Sequence, residues 1–271
     1  MAVARVGPVR LAYDDMGPRT GTPLVFVHGW TADRHRWDRQ ADRFARRRRV
    51  IRLDLRGHGE SGPGPGYRIR DLAGDVLGLL DGLGVERCVP VGHSMGAMVT
   101  QLLALEHPGR VERMVLVSAT GRLVSDTARG LGMSAARLLP HGVFVGLHLR
   151  RAFGPGFPRA RVRSYAAASA ATPRDTVMAC YDAMRAFDIL DRAGEIRVPT
   201  LMLHGRHDIQ LPAAQMLGLA ARYQDALVRI VDAGHELPVE APDAVTVAIG
   251  DFLTRDRQRP APGAGRTPAL Y

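Results

Sequence analysis

The feature that most constrains this chain is the order in which short apolar runs alternate with longer amphipathic stretches. PLVFVHG at 23–29, VIRLDL at 50–55, CVPVG at 88–92, RMVLVSA at 113–119, PTLMLHG at 199–205 and ALVRIVDAG at 226–234 are all of strand length. An earlier run, VRLAYDDMG, reads as a strand that turns at Gly17-Pro18. Helix-period segments separate the runs: 33–45 with Trp37 and Phe44, 70–83 with Leu72, Val76, Leu79, Leu80 and Leu83, then 95–106, 212–222 and 242–254. Strands without alternating polar residues must be covered on both faces. The pattern therefore predicts an α/β fold, a mostly parallel central sheet flanked by helices.

The alternation breaks once. Residues 121–193 hold helical stretches divided by FGPGFP at 153–158, with no strand run among them. Such a block is too long for an ordinary connection. It reads as a helical cap inserted over the carboxyl ends of the strands, where open α/β sheets bind ligands. The expected organisation is a core of 1–120 and 194–255, a cap of 121–193 and a flexible Pro/Gly-rich tail over 256–271.

Composition excludes several function classes. Apolar residues make up 46% of the chain and charged residues 24%, which is the balance of a globular protein. No run is long enough to span a membrane, and the first twenty residues lack the apolar stretch of a secretory signal. A soluble, cytoplasmic protein is expected, with neither a membrane nor a nucleic-acid partner. The formal charge of +10 does not argue otherwise, because every basic residue is an arginine, no lysine occurs, and the arginines are scattered. The exception is Arg46-Arg47-Arg48-Arg49, which reads as the solvated end of a helix. An acidic acyl-carrier protein is the rival explanation for that run. Cys88 and Cys180 form no disulfide framework and no metal motif.

The chemistry concentrates at four places. Gly92-His93-Ser94-Met95-Gly96 is a complete G-x-S-x-G between a predicted strand and a predicted helix. In that context the glycines permit a sharp turn that lifts the serine above the sheet edge, at a helix amino terminus that favours negative charge. A serine hydroxyl needs a base. His235, in AGHELPVEAP after the last strand, stands in the expected order behind the serine. A carboxylate must hold the imidazole in the right tautomer. Asp208, just past the 199–205 strand, is the choice; Asp54 precedes the serine, and Asp232 belongs to the strand leading to His235.

His28-Gly29-Trp30, Asp54-Leu55-Arg56-Gly57-His58-Gly59-Glu60-Ser61, the G-x-S-x-G and Gly234-His235 together resemble the α/β-hydrolase superfamily. Within it, they are closest to its cap-bearing esterases, enol-lactonases and cofactor-free haloperoxidases. The resemblance spans nearly all of 20–255 apart from the cap, with Ala97 standing where many relatives have a further glycine. It implies an oxyanion hole from the backbone N–H groups of Trp30 and Met95, substrate contacts from Trp30 and His28, and a structural role for Asp54 and its loop. Each oxyanion donor is worth about 3 kcal/mol of barrier. No metal or other cofactor is expected, because His204, His207 and Asp208 at a strand end do not converge easily on one ion.

The expected activity is hydrolysis of a small-molecule carboxylic ester or lactone by a serine hydrolase. Leu131, Met133, Leu138, Leu139, Val143, Phe144, Val145, Leu147, Phe153 and Met184 of the cap point to a largely apolar acyl group. Two alternatives stand beside it. One is carbon–carbon cleavage of a vinylogous diketone, whose enzymes usually carry a Gly-Gly pair where this chain has Trp30-Thr31. The other is a non-hydrolytic cyclase or ligand receptor on the same fold.

Overall fold

The computed structural model of the protein describes residues 1–123 and 138–255. Among them, one sheet is built from β1 (Ala2–Val6), β2 (Val9–Met16), β3 (Leu24–Val27), β4 (Val50–Leu53), β5 (Val89–His93), β6 (Met114–Val117), β7 (Thr200–Gly205) and β8 (Ala226–Val231). Their order is β1-β2-β4-β3-β5-β6-β7-β8. The β1–β2 and β2–β4 pairs are antiparallel, and every pair from β4 onward is parallel. After β3 the chain builds β4 on one side, then crosses to build β5 on the other. The carboxyl ends of β3 and β5 thus flank the topological switch point, where open sheets bind ligands.

The all-apolar strands bury both faces, as the sequence pattern predicts. Leu24 and Phe26 of β3 join a core with Trp37, Val89, Val91, Ile249 and Phe252. Val25 and Val27 face the opposite layer with Leu72, Val76, Leu79 and Val99. Helices α1 (Asp38–Ala45) and α9 (Pro242–Thr254) cover the first face, α2 (Ile69–Gly82) and α3 (Met95–Glu106) the second. Between α1 and α9 in the chain also stand α7 (Ala213–Ala220) and the short α8 (Leu237–Glu240).

Three local expectations change. β1 escaped the pattern because it is an edge strand whose side chains are mostly exposed. The helix expected from residue 33 begins as a 3-10 turn, Arg34–Trp37, capped by Asp33, before α1 takes over. The arginine run is not one solvated helix end. α1 stops at Ala45, and Arg49 is buried with its guanidinium on both carboxylate oxygens of Asp15, at 2.9 Å each. Arg49 is therefore unavailable to an acidic partner, and the run owes its last member to β-sheet anchoring.

Between β6 and β7 lie α4 (His141–Ala152), α5 (Arg159–Ser169) and α6 (Arg174–Ala186). They rest on the carboxyl-end loops of the sheet. Trp30 Nε1 donates to the Val177 carbonyl at 2.8 Å, Arg36 to Ser169 Oγ at 2.9 Å, and the His235 N–H to the Ala152 carbonyl at 2.7 Å. Of the apolar residues expected to line a pocket here, Phe144, Val145, Phe153 and Met184 are buried. Leu138, Val143 and Leu147 instead face solvent, at 88%, 49% and 47% exposure, and are removed from that list. Leu131, Met133 and the tail over 256–271 lie outside the described residues. Among the described residues no helix is long and apolar enough to cross a membrane.

Candidate active site

Ser94 occupies the turn between β5 and α3 with φ +52° and ψ −113°. A non-glycine residue held there costs about 1–3 kcal/mol, and such strain persists only where the surroundings enforce it. Gly92 and Gly96 are the enforcing positions. A Cβ on Gly96 would collide with the carbonyl oxygens of Val27 and His28, and one on Gly92 with the Gly96 carbonyl and Thr100 Oγ1. The obstacles at Gly96 are backbone atoms that cannot swing aside. Gly96→Ala should therefore cost roughly 1–3 kcal/mol and lower the melting temperature by several degrees. A thermal melt identical to that of the parent protein would contradict this account of the turn.

The loop after β8 carries His235. Its N–H is held by the Ala152 carbonyl, and its own carbonyl accepts from Ser118 Oγ and His93 Nε2, each at 2.9 Å. Burial pushes the His93 pKa down to about 4, so this ring is neutral and its proton sits on the nitrogen that donates. With the backbone fixed on both sides, the His235 ring lies between Ser94 and Asp208. Nε2 is 2.9 Å from Ser94 Oγ, and Nδ1 is 2.7 Å from Asp208 Oδ2. Asp208 Oδ1 also accepts from the N–H groups of Gln210 and Leu211, at 2.8 and 2.9 Å. A carboxylate accepts only, so the proton of neutral His235 belongs on Nδ1 and its Nε2 lone pair faces the serine hydroxyl.

The same pairing shifts both titrations. Burial acts to raise the Asp208 pKa, but the neighbouring His235 and the Leu211 N–H outweigh it and hold the carboxyl below its usual range. Burial acts to lower the His235 pKa, but Asp208 first, then Glu236 and Glu240, outweigh it and hold the imidazole above its ordinary value.

The backbone N–H groups of Trp30 and Met95 follow β3 and β5, and among the described residues neither donates to a protein acceptor. The Trp30 side chain is wedged under the inserted helices, its ring 6.0 Å from Phe144, 4.7 Å from His148 and 5.6 Å from Tyr181. His28 corrects an expectation. It is fully buried, its Nε2 accepts from the Leu55 N–H at 2.9 Å, and its Nδ1 donates to the Gly29 carbonyl at 2.8 Å. It splints the Gly29-Trp30 turn against the next loop and offers nothing to a substrate. Asp54 accepts from the N–H groups of Arg34 and Glu60, at 2.7 and 2.9 Å, and so organises that loop.

Several supporting residues were missed in the sequence. Glu240 accepts from the N–H groups of Gly154, Gly234 and Glu236 at 2.8, 3.0 and 3.0 Å, tying the His235 loop to the segment after α4. Glu236 and Arg36 form a buried ion pair at 3.6 Å, and the Arg36 guanidinium lies 4.4 Å above the Tyr165 ring. No local signal marks the contacts of Glu240 with Gly154 and of Arg36 with Glu236, since each joins distant parts of the chain. His204 and His207 do not form a metal cluster. His207 pairs with Asp232 at 2.8 Å, while Asp208 is engaged by His235, and no metal-holding group occurs among the described residues.

The family described as alpha/beta hydrolase fold matches residues 22–242. A non-heme chloroperoxidase from Streptomyces lividans is 32% identical over 223 residues, covering 74% of this chain and 80% of that protein. The crystal structure of the enol-lactonase from Burkholderia xenovorans superposes with a TM-score of 0.88 at 30% identity, covering 94% of this chain and all of that one. The structure of an N-acyl homoserine lactone degrading enzyme, Est816, is 31% identical with a TM-score of 0.82, covering 93% and 100% of the two chains.

Proposed function

The chain belongs to the α/β-hydrolase family, and from that membership we propose that it hydrolyses a carboxylic ester or lactone through an acyl-enzyme on Ser94. The observation that carries the proposal is the relay from Ser94 Oγ through His235 to Asp208, with hydrogen bonds of 2.9 and 2.7 Å. Ser94 Oγ attacks the carbonyl carbon as its proton passes to His235 Nε2. The carbonyl oxygen becomes an oxyanion, and the unengaged N–H groups of Trp30 and Met95 receive it. Collapse breaks the bond to the leaving oxygen, which takes the proton from His235. In a lactone that oxygen stays tethered to the acyl group. Water, deprotonated by the same imidazole, then attacks the acyl carbon; the bond to Ser94 Oγ breaks, and that oxygen takes the proton back from His235 Nε2.

Trp30, whose backbone N–H is the proposed oxyanion donor, packs with buried Phe144 and Tyr181, and this cluster favours a largely apolar acyl group. The lactone-cleaving activities named for two structural neighbours favour including lactones in the substrate class. A panel of p-nitrophenyl esters and simple lactones, followed by chromophore release and by product mass, tests the assignment. Turnover is expected on at least one class; none on either would refute it.

The base also sets a pH dependence. Only neutral His235 can take the serine proton, and its pKa is raised above the ordinary 6.5 by Asp208. kcat/KM should therefore rise with pH through a limb centred above 6.5 and fall on acidification through it. Asp208→Asn removes the main raising charge, so the limb of its residual activity should move to lower pH. A parent limb centred below 6.5 would contradict the described environment.

A further inference from the structure

We propose that His148, on α4, is a substrate-recognition residue that hydrogen-bonds a hydroxyl, oxo or amide group carried on the α or β carbon of the scissile acyl group. This rests on the ester or lactone reading above and narrows its substrate class. Phe144, His148 and Ala152 are four residues apart and so share one face of the helix. Phe144 lies against Trp30 with ring centroids 6.0 Å apart, and His148 lies edge-on to the same indole at 4.7 Å. One turn further, the Ala152 carbonyl holds the His235 N–H at 2.7 Å. The face thus runs from the residue proposed to supply an oxyanion donor to the residue proposed as base. His148 stands between those two contacts, one turn from each along α4.

The register of α4 is firmly set, because Phe144, Val145, Leu149 and Ala152 are all buried. What distinguishes His148 is that its ring has no hydrogen-bond partner among the described residues, although its own carbonyl accepts from Gln210 Nε2 at 3.3 Å. The side chain keeps some accessible surface, yet burial, with His235 and Arg36 nearby, pushes its pKa down to about 4 despite the opposing charge of Glu236. The ring is therefore packed against Trp30 while part of it stays open to an incoming molecule. Neutral imidazole offers one donor and one acceptor there, and neither is taken by a protein group among the described residues. A plain alkyl acyl group would leave both nitrogens unmet, whereas a polar substituent near the carbonyl would satisfy one of them. Packing against Trp30 alone would be served as well by a phenyl ring.

The test compares matched substrates: p-nitrophenyl butyrate with p-nitrophenyl 3-hydroxybutyrate, and γ-butyrolactone with its α-acetamido derivative. The parent protein should prefer the polar member of at least one pair in kcat/KM. His148→Phe keeps an aromatic ring beside Trp30 but removes both nitrogens, and should reduce that preference by roughly 3- to 10-fold, the worth of one net hydrogen bond. His148→Gln, which restores a donor and an acceptor, should recover part of it. A thermal melt and fluorophosphonate labelling of Ser94 in each variant separate recognition from misfolding. Loss of rate in equal proportion on both members, or no polar preference in a parent protein that turns over the plain substrates, would overturn the role of His148 alone. A parent protein that fails to label at Ser94 would overturn this inference together with the reading on which it rests.

Discussion

Ser94→Ala is expected to lower kcat by roughly 10⁶-fold, the scale seen when a serine hydrolase loses its nucleophile. In the proposed mechanism the substitution deletes the atom that bonds to the acyl carbon, and among the described residues the hydroxyl hydrogen-bonded to His235 Nε2 is that of Ser94, at 2.9 Å. His235→Ala should cost about as much, because the hydroxyl then keeps its proton. The double variant should be little worse than either single one, since the relay acts as a unit. Steady-state rates on the best p-nitrophenyl ester measure all three. Multiplicative losses would mean that the two residues act in separate steps.

Asp208→Asn is expected to cost roughly 10⁴-fold in kcat, by the wrong-tautomer mechanism. The carboxylate accepts a hydrogen bond from His235 Nδ1–H at 2.7 Å, and its other oxygen is anchored by the Gln210 and Leu211 N–H groups. An asparagine keeps that anchor by leaving its oxygen on the two N–H donors, and so turns its NH₂ toward Nδ1. The imidazole must then accept at Nδ1 and carry its proton on Nε2, where it cannot accept from Ser94. The fold should survive, because the side-chain shape and the two backbone contacts are retained. An unchanged melting temperature with the full loss of rate supports the tautomer argument. A loss below about tenfold would show that orientation and charge at this position matter little.

The sheet and the turn bearing Ser94 were legible because their causes are local. A fully buried strand needs an unbroken apolar run, and a strand that must turn at once into a helix needs small residues at Gly92 and Gly96. Chain order also pointed to His235 and Asp208 among many histidines and carboxylates, and the structure brings both into one hydrogen-bonded row with Ser94. What was not legible depends on contacts between remote segments. Glu240 reaches Gly154, Arg36 meets Glu236, and Arg49 finds Asp15 only after the sheet and inserted helices are assembled. His28 was misjudged for the same reason. Its neighbours in sequence are those of a ligand-facing loop, but register with β4 turns its ring inward to the Leu55 N–H. His148 was hidden by the apolar pattern around it, which marks the helix but not which of its faces meets Trp30.

The helices between β6 and β7 also touch the loop that carries His235. α4 holds the His235 N–H through Ala152, and Glu240 joins the Gly154 N–H to the same loop. The proposed base is therefore positioned in part by a segment outside the sheet. Changes that loosen this segment should lower kcat, and not only weaken substrate binding.

The most direct measurement of the central claim is the site of covalent capture. The protein is treated with a fluorophosphonate, its intact mass recorded, and the adduct located by peptide mapping. A single adduct on Ser94 is predicted, formed with loss of ester turnover, absent in Ser94→Ala and strongly slowed in His235→Ala. An adduct on any other residue, or ester turnover that persists in fully labelled protein, would contradict the account.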